Sequence, residues 1–206
     1  MTELDSRSGP ELAGFDPDPF DQFGRWLDEA RAAGIELYDA MALATVGRDG
    51  RPTVRMVMLR GLDRRGFVFF TNYESPKARD LAENPYAALL FHWARLGRQV
   101  RIAGRATRTS REESEAYFRT RPFESQIAAM ISPQSRVIPS RQVLEAAFEA
   151  KWAEFAGREV PLPPFWGGFR VEPDCFEFWE AGPHRLHNRV RYTREGENWR
   201  IELLAP

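Results

Sequence analysis

Two cations beside a predicted helix start are the first candidates for a binding site in this sequence. Arg55 lies in an alternating apolar segment, and Lys77 follows Ser75-Pro76, where serine is a typical N-cap and proline a typical first helical residue. A helix N-terminus next to two cations is suited to bind a phosphate. The solvated ends of a β-hairpin would show the same residues, so this segment alone leaves the two interpretations equally open.

Two further groups of residues have spacings that bring their side chains to one side. Tyr117, Arg121 and Ser125 are spaced by four residues on a predicted helix and its continuation, so they can face one way, although an exposed helix face would look the same. Arg185 and His187 are separated by one residue, and on an extended segment both would project to the same side. Polar surface residues near a strand end are the alternative for this pair.

Metal sites, nucleotide-binding loops and a catalytic triad have little support in the sequence. With three histidines and Cys175 as the one cysteine, we expect no metal site. No Gly-x-Gly-x-x-Gly follows a predicted strand and no Gly-x-x-x-x-Gly-Lys-Ser/Thr occurs, so neither a Rossmann site nor a P-loop is predicted. The sequence contains no convincing Ser-His-Asp set.

Length and composition indicate a packed globular chain. The 206 residues include 43% hydrophobic and 13% aromatic side chains, enough for a sizeable core. One cysteine excludes an intrachain disulfide, no apolar run approaches the roughly 20 residues that span a bilayer, and the N-terminus lacks a signal-peptide pattern. We therefore expect a cytoplasmic protein with no membrane partner. A pI near 6.4 and a net charge of −1 do not support a nucleic-acid partner.

The predicted elements are short strands joined by hairpins, with helices inserted. Residues 1–17 are polar and predict a flexible arm, and residues 18–206 predict a single domain that starts with a helix from Phe20 to Gly34. Arg55 is predicted to lie in a strand that forms two hairpins. One joins it to Met41–Val46 through the turn Arg48-Asp49-Gly50, and the other joins it through Asp63-Arg64-Arg65-Gly66 to the strand that follows. This organisation favours a mainly β, α+β fold, a small antiparallel barrel, over a doubly wound sheet.

The remaining elements follow from apolar periodicity and turn residues. A longer helix is predicted to start at Pro139-Ser140 and to end near Gly157. Its apolar residues lie on one side, namely Val143, Leu144, Phe148, Trp152 and Phe155. Shorter helices are predicted after Lys77, Ser110 and Pro122. Further strands are predicted at Met41–Val46, Tyr86–Trp93, Arg98–Thr109, Phe169–Val171, Cys175–Trp179, Val190–Tyr192 and Trp199–Ile201.

Ordered motifs cover almost everything after Met41, and Arg185-Leu-His-Asn-Arg189 following Glu177-Phe-Trp179 is the most specific of them. The other motifs are Arg55-Met-Val-Met-Leu-Arg60, Phe70-Thr-Asn, Ser75-Pro-Lys77, Arg98-Gln-Val, Tyr117-Phe-Arg-Thr-Arg-Pro122, Ser125-Gln-Ile, Pro133-Gln-Ser135, Phe165-Trp-Gly-Gly-Phe169 and Ala205-Pro206. In this ordered set the chain resembles the pyridoxine (pyridoxamine) 5′-phosphate oxidase family of FMN enzymes. The resemblance implies an FMN-binding split β-barrel that forms a homodimer with two FMN sites at the interface.

The resemblance also implies an activity and a set of site residues. The implied reaction is the FMN-dependent oxidation of pyridoxamine 5′-phosphate and/or pyridoxine 5′-phosphate to pyridoxal 5′-phosphate, with O2 as electron acceptor and H2O2 as product. Arg185 and His187 are implied as catalytic residues around the pyridine ring of the substrate. The residues implied around the substrate phosphate are Arg60, Tyr117, Arg121 and Ser125. The residues implied to bind FMN are Arg55, Met56, Val57, Met58, Leu59, Arg60, Phe70, Thr71, Lys77, Gln99, Gln134, Ser135, Trp179 and Arg189.

Two alternatives to this activity remain open. One is a related split-barrel flavin oxidase of the phenazine-pathway type, whose larger substrates carry no phosphate; retention of Tyr117, Arg121 and Ser125 argues against it. The other is a non-catalytic flavin-binding or pyridoxal-phosphate-binding protein. Arg60 stands where the family usually has lysine, and an arginine fork contacts a phosphate differently from a lysine ammonium.

Overall fold

The computed structural model describes residues 14–206, and the first element in this range is an amphipathic helix. Helix α1 spans Pro19–Ala32, and Asp18 caps it by accepting a hydrogen bond from the backbone N–H of Phe20 at 2.8 Å. The side chains that α1 buries, Phe23 and Trp26 among them, recur every three or four residues and so lie on one face. This face covers one side of the sheet.

The core of the fold is one antiparallel sheet, which confirms the predicted mainly β fold with inserted helices. Its strands are β1 (Ala40–Val46), β2 (Pro52–Met58), β3 (Gly61–Asp63), β4 (Gly66–Asn72), β5 (Tyr86–Trp93), β6 (Arg98–Arg108), β7 (Trp166–Glu180), β8 (Asn188–Glu195) and β9 (Asn198–Leu203). The main path of the sheet runs in the order β2-β1-β5-β6-β7-β4-β3, while β8 pairs with β7 and β9 pairs with β8.

Alternation along the strands separates two faces of this sheet. On β7, Phe176 and Phe178 are fully buried in the aromatic core beneath α1, whereas Glu177 and Trp179 project to the opposite face. We call this second side of the sheet the outer face. The inner face holds most of the apolar core, so the outer face is available to carry polar or interface residues.

The other helices form a second layer beside the sheet, around a smaller apolar cluster. Ser110 and Glu113 form the predicted capping box at the start of α3. Phe118, Ile127 and Trp166 are buried together in the smaller cluster. The helices are α2 (Pro76–Glu83), α3 (Arg111–Thr120), α4 (Phe123–Ile131) and α5 (Arg141–Phe155).

The apolar side predicted for α5 is only partly covered. No residue of α5 is buried, and Val143 and Trp152 are 50% and 41% exposed. The same side does contact a core in part, because Phe148 and Phe155 pack against the smaller apolar cluster. Trp152 packs edge-to-face on Phe123 of α4 at 4.8 Å between ring centroids.

Of the two hairpins predicted for the strand that contains Arg55, the one with Met41–Val46 is confirmed and the one with the strand that begins at Gly66 is wrong. This strand, β2, pairs with β1 along its whole length, and a separate short strand, β3, forms the hairpin with β4. The chain bends between them because the N–H of Leu59 donates to Asp39 O at 2.9 Å and the N–H of Arg60 donates to Val68 O at 2.8 Å. Arg55 therefore lies at the edge of the sheet, next to β1.

The two strands predicted before and after residue 173 are one continuous strand, β7. Its register against β6 shifts between Ala103 and Gly104, where Asp174 has no partner, so the strand is kept continuous by a β-bulge. Gly104 allows this approach, because a Cβ there would lie 2.0 Å from the carbonyl oxygen of Glu172.

Most of the predicted N-terminal arm, residues 1–13, lies outside the described residues. Immediately after it, Phe15 packs against Trp26 and Phe178, with ring centroids 6.0 and 6.1 Å apart. Tyr192 donates a hydrogen bond to the carbonyl oxygen of Asp16 at 2.7 Å. Packed structure thus begins before residue 18. In the described part of the chain, no helix combines the length and apolar character needed to cross a membrane.

Candidate active site

A cleft of about 930 Å³ lies where β2, the end of β4, the start of α2 and the α3–α4 junction meet. It brings together residues that are distant in the sequence but were predicted as one site. The predicted residues that line the cleft are Arg55, Met56, Val57, Met58, Arg60, Phe70, Thr71, Lys77, Tyr117, Arg121, Ser125, Gln134 and Ser135. Leu59 is the exception in this segment, because its side chain is buried in the core.

The charge of the cleft is unbalanced. Its lining contains four cations, Arg55, Arg60, Lys77 and Arg121, and no aspartate or glutamate among the described residues. Like charges in a confined space repel one another, and an anion that entered would relieve the repulsion. The cleft is therefore suited to anionic ligands.

Lys77 lies at the buried end of the cleft. Its Nζ is within hydrogen-bond distance of Gln134 Oε1, Thr71 Oγ1 and Ser75 Oγ, at 2.9, 3.2 and 3.3 Å. Burial, and secondarily the charge of Arg55, lowers the pKa of Lys77 from 10.5 to about 8. Because neutral oxygens alone surround this ammonium, a phosphate would complete its coordination better than the protein does.

Arg55 projects from β2 beside Lys77. Its Nη1 donates to the carbonyl oxygen of Leu43 at 3.1 Å, and burial lowers the pKa of its guanidinium. The first residue of α2, Pro76, also lines the cleft, so the N-terminus of that helix lies close to both cations. The structure thus brings together the two cations and the helix start from which a phosphate site was predicted.

The opposite wall is made by Tyr117, Arg121 and Ser125, which line the cleft together as their spacing predicted. Arg121 lies over the ring of Trp166, with its guanidinium carbon 4.7 Å from the ring centroid. Its Nη1 is buried and has no hydrogen-bond partner among residues 14–206. Burial, opposed by Tyr117 and reinforced by Arg60, lowers the pKa of Arg121. An unpaired buried guanidinium N–H is costly, and an incoming oxyanion would satisfy it.

The floor between the two cationic ends is aromatic. Phe70 stacks on Tyr117 with ring centroids 4.0 Å apart and on Trp166 at 5.3 Å. The three rings are nearly parallel, with angles of 15°, 9° and 7° between their planes. Arg60, at the rim, is held by Asp39 through a 2.6 Å ion pair.

Five of the predicted site residues lie away from this cleft. Gln99, Trp179 and Arg189 are neighbours on the outer face, since Gln99 pairs with Trp179 across β6–β7 and Trp179 pairs with Arg189 across β7–β8. Arg185 and His187 belong to the adjoining turn before β8, and the ring of His187 lies 4.6 Å from that of Trp179. We call these five residues the outer-face cluster.

The geometry predicted for Arg185 and His187 is wrong. Arg185 ends a short 3₁₀ turn from Pro183, and both His184 and Arg185 have positive φ values, 55° and 64°, so the segment is not extended. Gly182 makes the turn possible, because a Cβ there would lie 1.9 Å from the carbonyl oxygen of Leu186. The N–H of Gly182 donates to Nδ1 of His187 at 3.2 Å, so a neutral imidazole carries its proton on Nε2.

Arg189 is fixed by an ion pair on the outer face. Its Nε and Nη2 donate to Oε1 of the buried Glu177 at 3.0 and 2.8 Å, and Arg101 donates to Oε2 of the same carboxylate at 3.1 Å. The Nη1 of Arg189 donates to the carbonyl oxygen of Ala205 at 2.8 Å. The fixed orientation leaves only part of the guanidinium free for a ligand.

Between the cleft and the outer-face cluster, the sheet exposes apolar side chains. Val54 and Met56 on β2 are 70% and 64% exposed. Beside them, Ala42, Leu90 and Ala103 line a shallow depression of about 230 Å³ that ends at Glu177. An exposed apolar sheet face of this kind is typical of a surface that another protein covers.

Sequence reasoning missed several residues of the cleft. Trp166, which supports Arg121, belongs to a matched motif but was given no role, and Thr53 is recognisable only through its alternation with Arg55 on β2. The other missed lining residues are Pro76, Thr120 and Pro122.

The residues of the cleft fit a flavin mononucleotide. Arg55, Lys77 and the start of α2 provide donors for its phosphate, and the residues between the cations provide flat apolar and amide surfaces for a ring system. The unpaired N–H of Arg121 lies on the other wall. The chain thus offers cationic positions for a second anion besides the cofactor phosphate.

Family models and named relatives match nearly the whole chain. The model of the pyridoxamine 5′-phosphate oxidase family matches residues 27–153, and that of the pyridoxine 5′-phosphate oxidase C-terminal dimerisation region matches residues 166–206. A pyridoxine/pyridoxamine 5′-phosphate oxidase of Burkholderia multivorans is 54% identical over 204 residues, which cover 98% of this chain and 95% of the relative. One from Rubrobacter xylanophilus is 52% identical over 201 residues, covering 98% and 93%.

Solved structures show the same fold. PhzG from Burkholderia lata, in complex with tetrahydrophenazine-1-carboxylic acid, has a TM-score of 0.91 and 33% identity, covering 98% of both chains. A pyridoxamine 5′-phosphate oxidase-related FMN-binding protein from Nostoc punctiforme has a TM-score of 0.74 at 19% identity, covering 93% of this chain and all of the other. The family match and the whole-length identity show that the chain belongs to the pyridoxamine 5′-phosphate oxidase family of split-barrel proteins, with the family's dimerisation region at its C-terminal end.

Proposed function

We propose that the chain is an FMN-dependent oxidase that converts pyridoxamine 5′-phosphate and/or pyridoxine 5′-phosphate to pyridoxal 5′-phosphate, with O2 as electron acceptor and H2O2 as product. The observation that carries the proposal is the cleft with four cations and no carboxylate among its described lining residues. Its cations lie on two walls, Arg55 and Lys77 on one and Arg121 on the other. This distribution suits two phosphorylated ligands bound side by side.

In this proposal, one wall holds the cofactor. Arg55 and Lys77 bind the FMN phosphate, while Thr71, Gln134 and Ser135 supply polar contacts beside it. A bound FMN would supply the redox chemistry, as acceptor of a hydride from the C4′ carbon of the substrate and donor of electrons to O2; for the amine substrate, water would then release ammonia and leave the aldehyde. Because this chemistry belongs to the cofactor, the protein's task is to bind, orient and shield the two ring systems.

The other wall recognises the substrate. Arg121 offers its unpaired Nη1–H to the substrate phosphate, and the hydroxyl groups of Tyr117 and Ser125 line the same wall. Trp166 beneath the guanidinium restricts its movement, so the donor is oriented before the ligand arrives. Arg60 adds a positive charge at the rim, but its ion pair with Asp39 partly neutralises this charge.

We infer that the outer-face cluster completes the site of the partner subunit in a homodimer. These residues lie within the matched dimerisation region, except for Gln99, which pairs with it in the sheet. The apolar outer face supplies a surface on which a second copy can pack. In the dimer, Gln99, Trp179 and Arg189 would contact FMN, and Arg185 and His187 would contact the pyridine ring.

One observation favours a second candidate, an oxidase of a larger unphosphorylated substrate. PhzG, which shares the fold over the whole chain, binds a tricyclic carboxylic acid in its solved structure. The identity to this protein is 33%, whereas the relatives named as pyridoxine/pyridoxamine 5′-phosphate oxidases reach 54%. The higher identity favours a phosphorylated substrate, whereas the unpaired Arg121 N–H can bind either a phosphate or a carboxylate and does not separate the two candidates.

A substrate comparison tests the proposed function. The purified protein loaded with FMN is supplied with each phosphorylated vitamer, with unphosphorylated pyridoxamine or with a tetrahydrophenazine carboxylic acid, and aldehyde formation and O2 uptake are measured. We expect rapid turnover of the phosphorylated vitamers only. Equal turnover of pyridoxamine with and without its phosphate would refute the role of Arg121, and turnover of the tricyclic acid alone would establish the second candidate.

A further inference from the structure

We propose that Thr45, backed by Asp80, is a positioning residue that holds Arg55 with its free edge directed at the cofactor phosphate. The inference rests on the proposed function, because it assumes that Arg55 binds this phosphate. Neither Thr45 nor Asp80 lines the cleft, and neither was singled out by the sequence motifs.

Thr45 is a polar residue in an otherwise apolar row. Its side chain lies on the inner face of β1 and the residue is only 1% exposed. Its Oγ1 is 2.7 Å from Arg55 Nη1 and 2.7 Å from Asp80 Oδ2. A guanidinium can only donate and an ionised carboxylate can only accept, so the hydroxyl accepts from Arg55 and donates to Asp80. The direction of both hydrogen bonds is therefore fixed.

Thr53 repeats the arrangement on the neighbouring strand. It lies opposite Thr45 in the β1–β2 register, and their hydroxyl oxygens are 3.2 Å apart. Thr53 Oγ1 accepts from Arg55 Nη2 and is 3.1 Å from Asp80 Oδ2. Arg55 thus faces two hydroxyl groups with its Nη1–Nη2 edge, and both hydroxyls contact one oxygen of Asp80.

The hydrogen bonds of Arg55 leave one edge of the guanidinium available. Nη1 uses its two N–H groups on Leu43 O and Thr45 Oγ1, and Nη2 uses one on Thr53 Oγ1. The Nε–H and the second Nη2–H remain, with no partner within residues 14–206. Together these two N–H groups form the side-on fork with which arginine binds an oxyanion. The threonines therefore select which edge of Arg55 reaches the phosphate.

Asp80 is separated from Arg55 by the two hydroxyl groups, and this separation keeps the guanidinium available for a ligand. Arg55 and Asp80 form no ion pair with each other, because the two hydroxyl groups lie between them. The negative charge of Asp80 still opposes the effect of burial on the pKa of Arg55. A carboxylate in direct contact would occupy the fork and compete with the ligand. Asp80 also belongs to α2, the helix that carries Lys77, so one helix fixes both cations.

The test uses isosteric variants and two flavins that differ only in the phosphate. Thr45→Val keeps the shape of the side chain but removes the hydroxyl, and Thr45→Ser keeps the hydroxyl. The dissociation constants of FMN and riboflavin for each apoprotein are measured by quenching of flavin fluorescence. We expect Thr45→Val to weaken FMN by about tenfold, with riboflavin unchanged and Thr45→Ser close to wild type.

The outcomes separate the positioning role from a structural one. Unchanged FMN affinity in Thr45→Val, or an equal loss for FMN and riboflavin, would overturn the proposal. If Thr45→Val does not fold, the exposed Thr53→Val decides: a loss of threefold or more for FMN alone supports the proposal, and no selective loss overturns it. A wild-type protein that binds FMN and riboflavin equally would instead refute the phosphate site of the proposed function.

Discussion

Raising the pH from 7 to 9 should weaken FMN binding by about tenfold, because Lys77 loses its proton in the free protein. This lysine is 8% exposed, and burial lowers its pKa from 10.5 to about 8. Binding a phosphate dianion requires the ammonium form of Lys77. Above this pKa, the observed binding free energy of FMN is therefore reduced by the free energy needed to protonate the lysine. Each pH unit above the pKa costs about 1.4 kcal/mol, or a factor of ten.

The expected slope follows from this linkage. At pH 7 about nine-tenths of the lysine is protonated, and at pH 9 about one-tenth, which gives a ratio of about tenfold in the apparent dissociation constant. The phosphate itself, with a second pKa of about 6, stays largely dianionic over this range. The affinity loss thus reports Lys77.

The assay is fluorescence titration of the apoprotein with FMN at several pH values. Lys77→Met should bind FMN more weakly at pH 7 but show no loss between pH 7 and 9, and riboflavin should show no loss with either protein. Calorimetry at pH 9 in buffers with different ionisation enthalpies should detect uptake of about one proton. A flat profile for the wild type, or the same slope in Lys77→Met, would refute the reasoning.

Three further predictions concern the substrate wall and the outer face. Arg121→Ala should raise KM for pyridoxamine 5′-phosphate by at least about tenfold without changing FMN content, since a charge-assisted hydrogen bond contributes about 1.5–3 kcal/mol; steady-state kinetics with an unchanged KM would contradict this. Arg185→Ala and His187→Ala should lower kcat/KM while the flavin spectrum stays normal, and anaerobic single-turnover flavin reduction at wild-type rate in both variants would remove them from the site. Glu177→Gln should destabilise the protein by about 1–3 kcal/mol in urea unfolding, because it removes the buried negative charge and turns one of the two oxygens that accept from Arg101 and Arg189 into a donor. The exposed control Glu172→Gln should cost less than about 0.5 kcal/mol, and similar losses in the two variants would contradict the burial argument.

Local sequence patterns predicted much of the fold. The spacing of Phe23 and Trp26 gave the face of α1, and the Ser110–Glu113 capping box marked the start of α3. These signals involve residues within a few positions of one another, so they can be recognised without knowledge of the tertiary fold. The match of ordered motifs supplied the split barrel, which local patterns alone left as an unspecified antiparallel barrel.

The wrong predictions have long-range causes. The bend after β2 depends on the backbone of Asp39 and Val68, and the continuity of β7 depends on Gly104 of the neighbouring strand. Positive φ at Arg185 is rare for a residue with a side chain, so no sequence rule predicts it. In each case the decisive contact comes from another part of the chain.

In the candidate site, too, the local features were predicted from the sequence and the long-range contacts were not. The spacing by four residues predicted that Tyr117, Arg121 and Ser125 lie on one wall, because helical periodicity determines which side chains face the same way. The contact of Thr45 with Asp80 spans 35 positions in the sequence and could not be predicted from either residue. Supporting residues behind a site are chosen by the tertiary fold, and only the structure reveals them.

In the proposed dimer, each cofactor site consists of the cleft of one protomer and the outer-face cluster of its partner. Cofactor binding and subunit association are therefore thermodynamically linked. A ligand that contacts both protomers raises the association constant by the same factor by which association raises the affinity for the ligand. Dilution should then release flavin even at constant flavin concentration, and added flavin should restore the dimer. Cofactor supply would control the assembly of the protein as well as its activity.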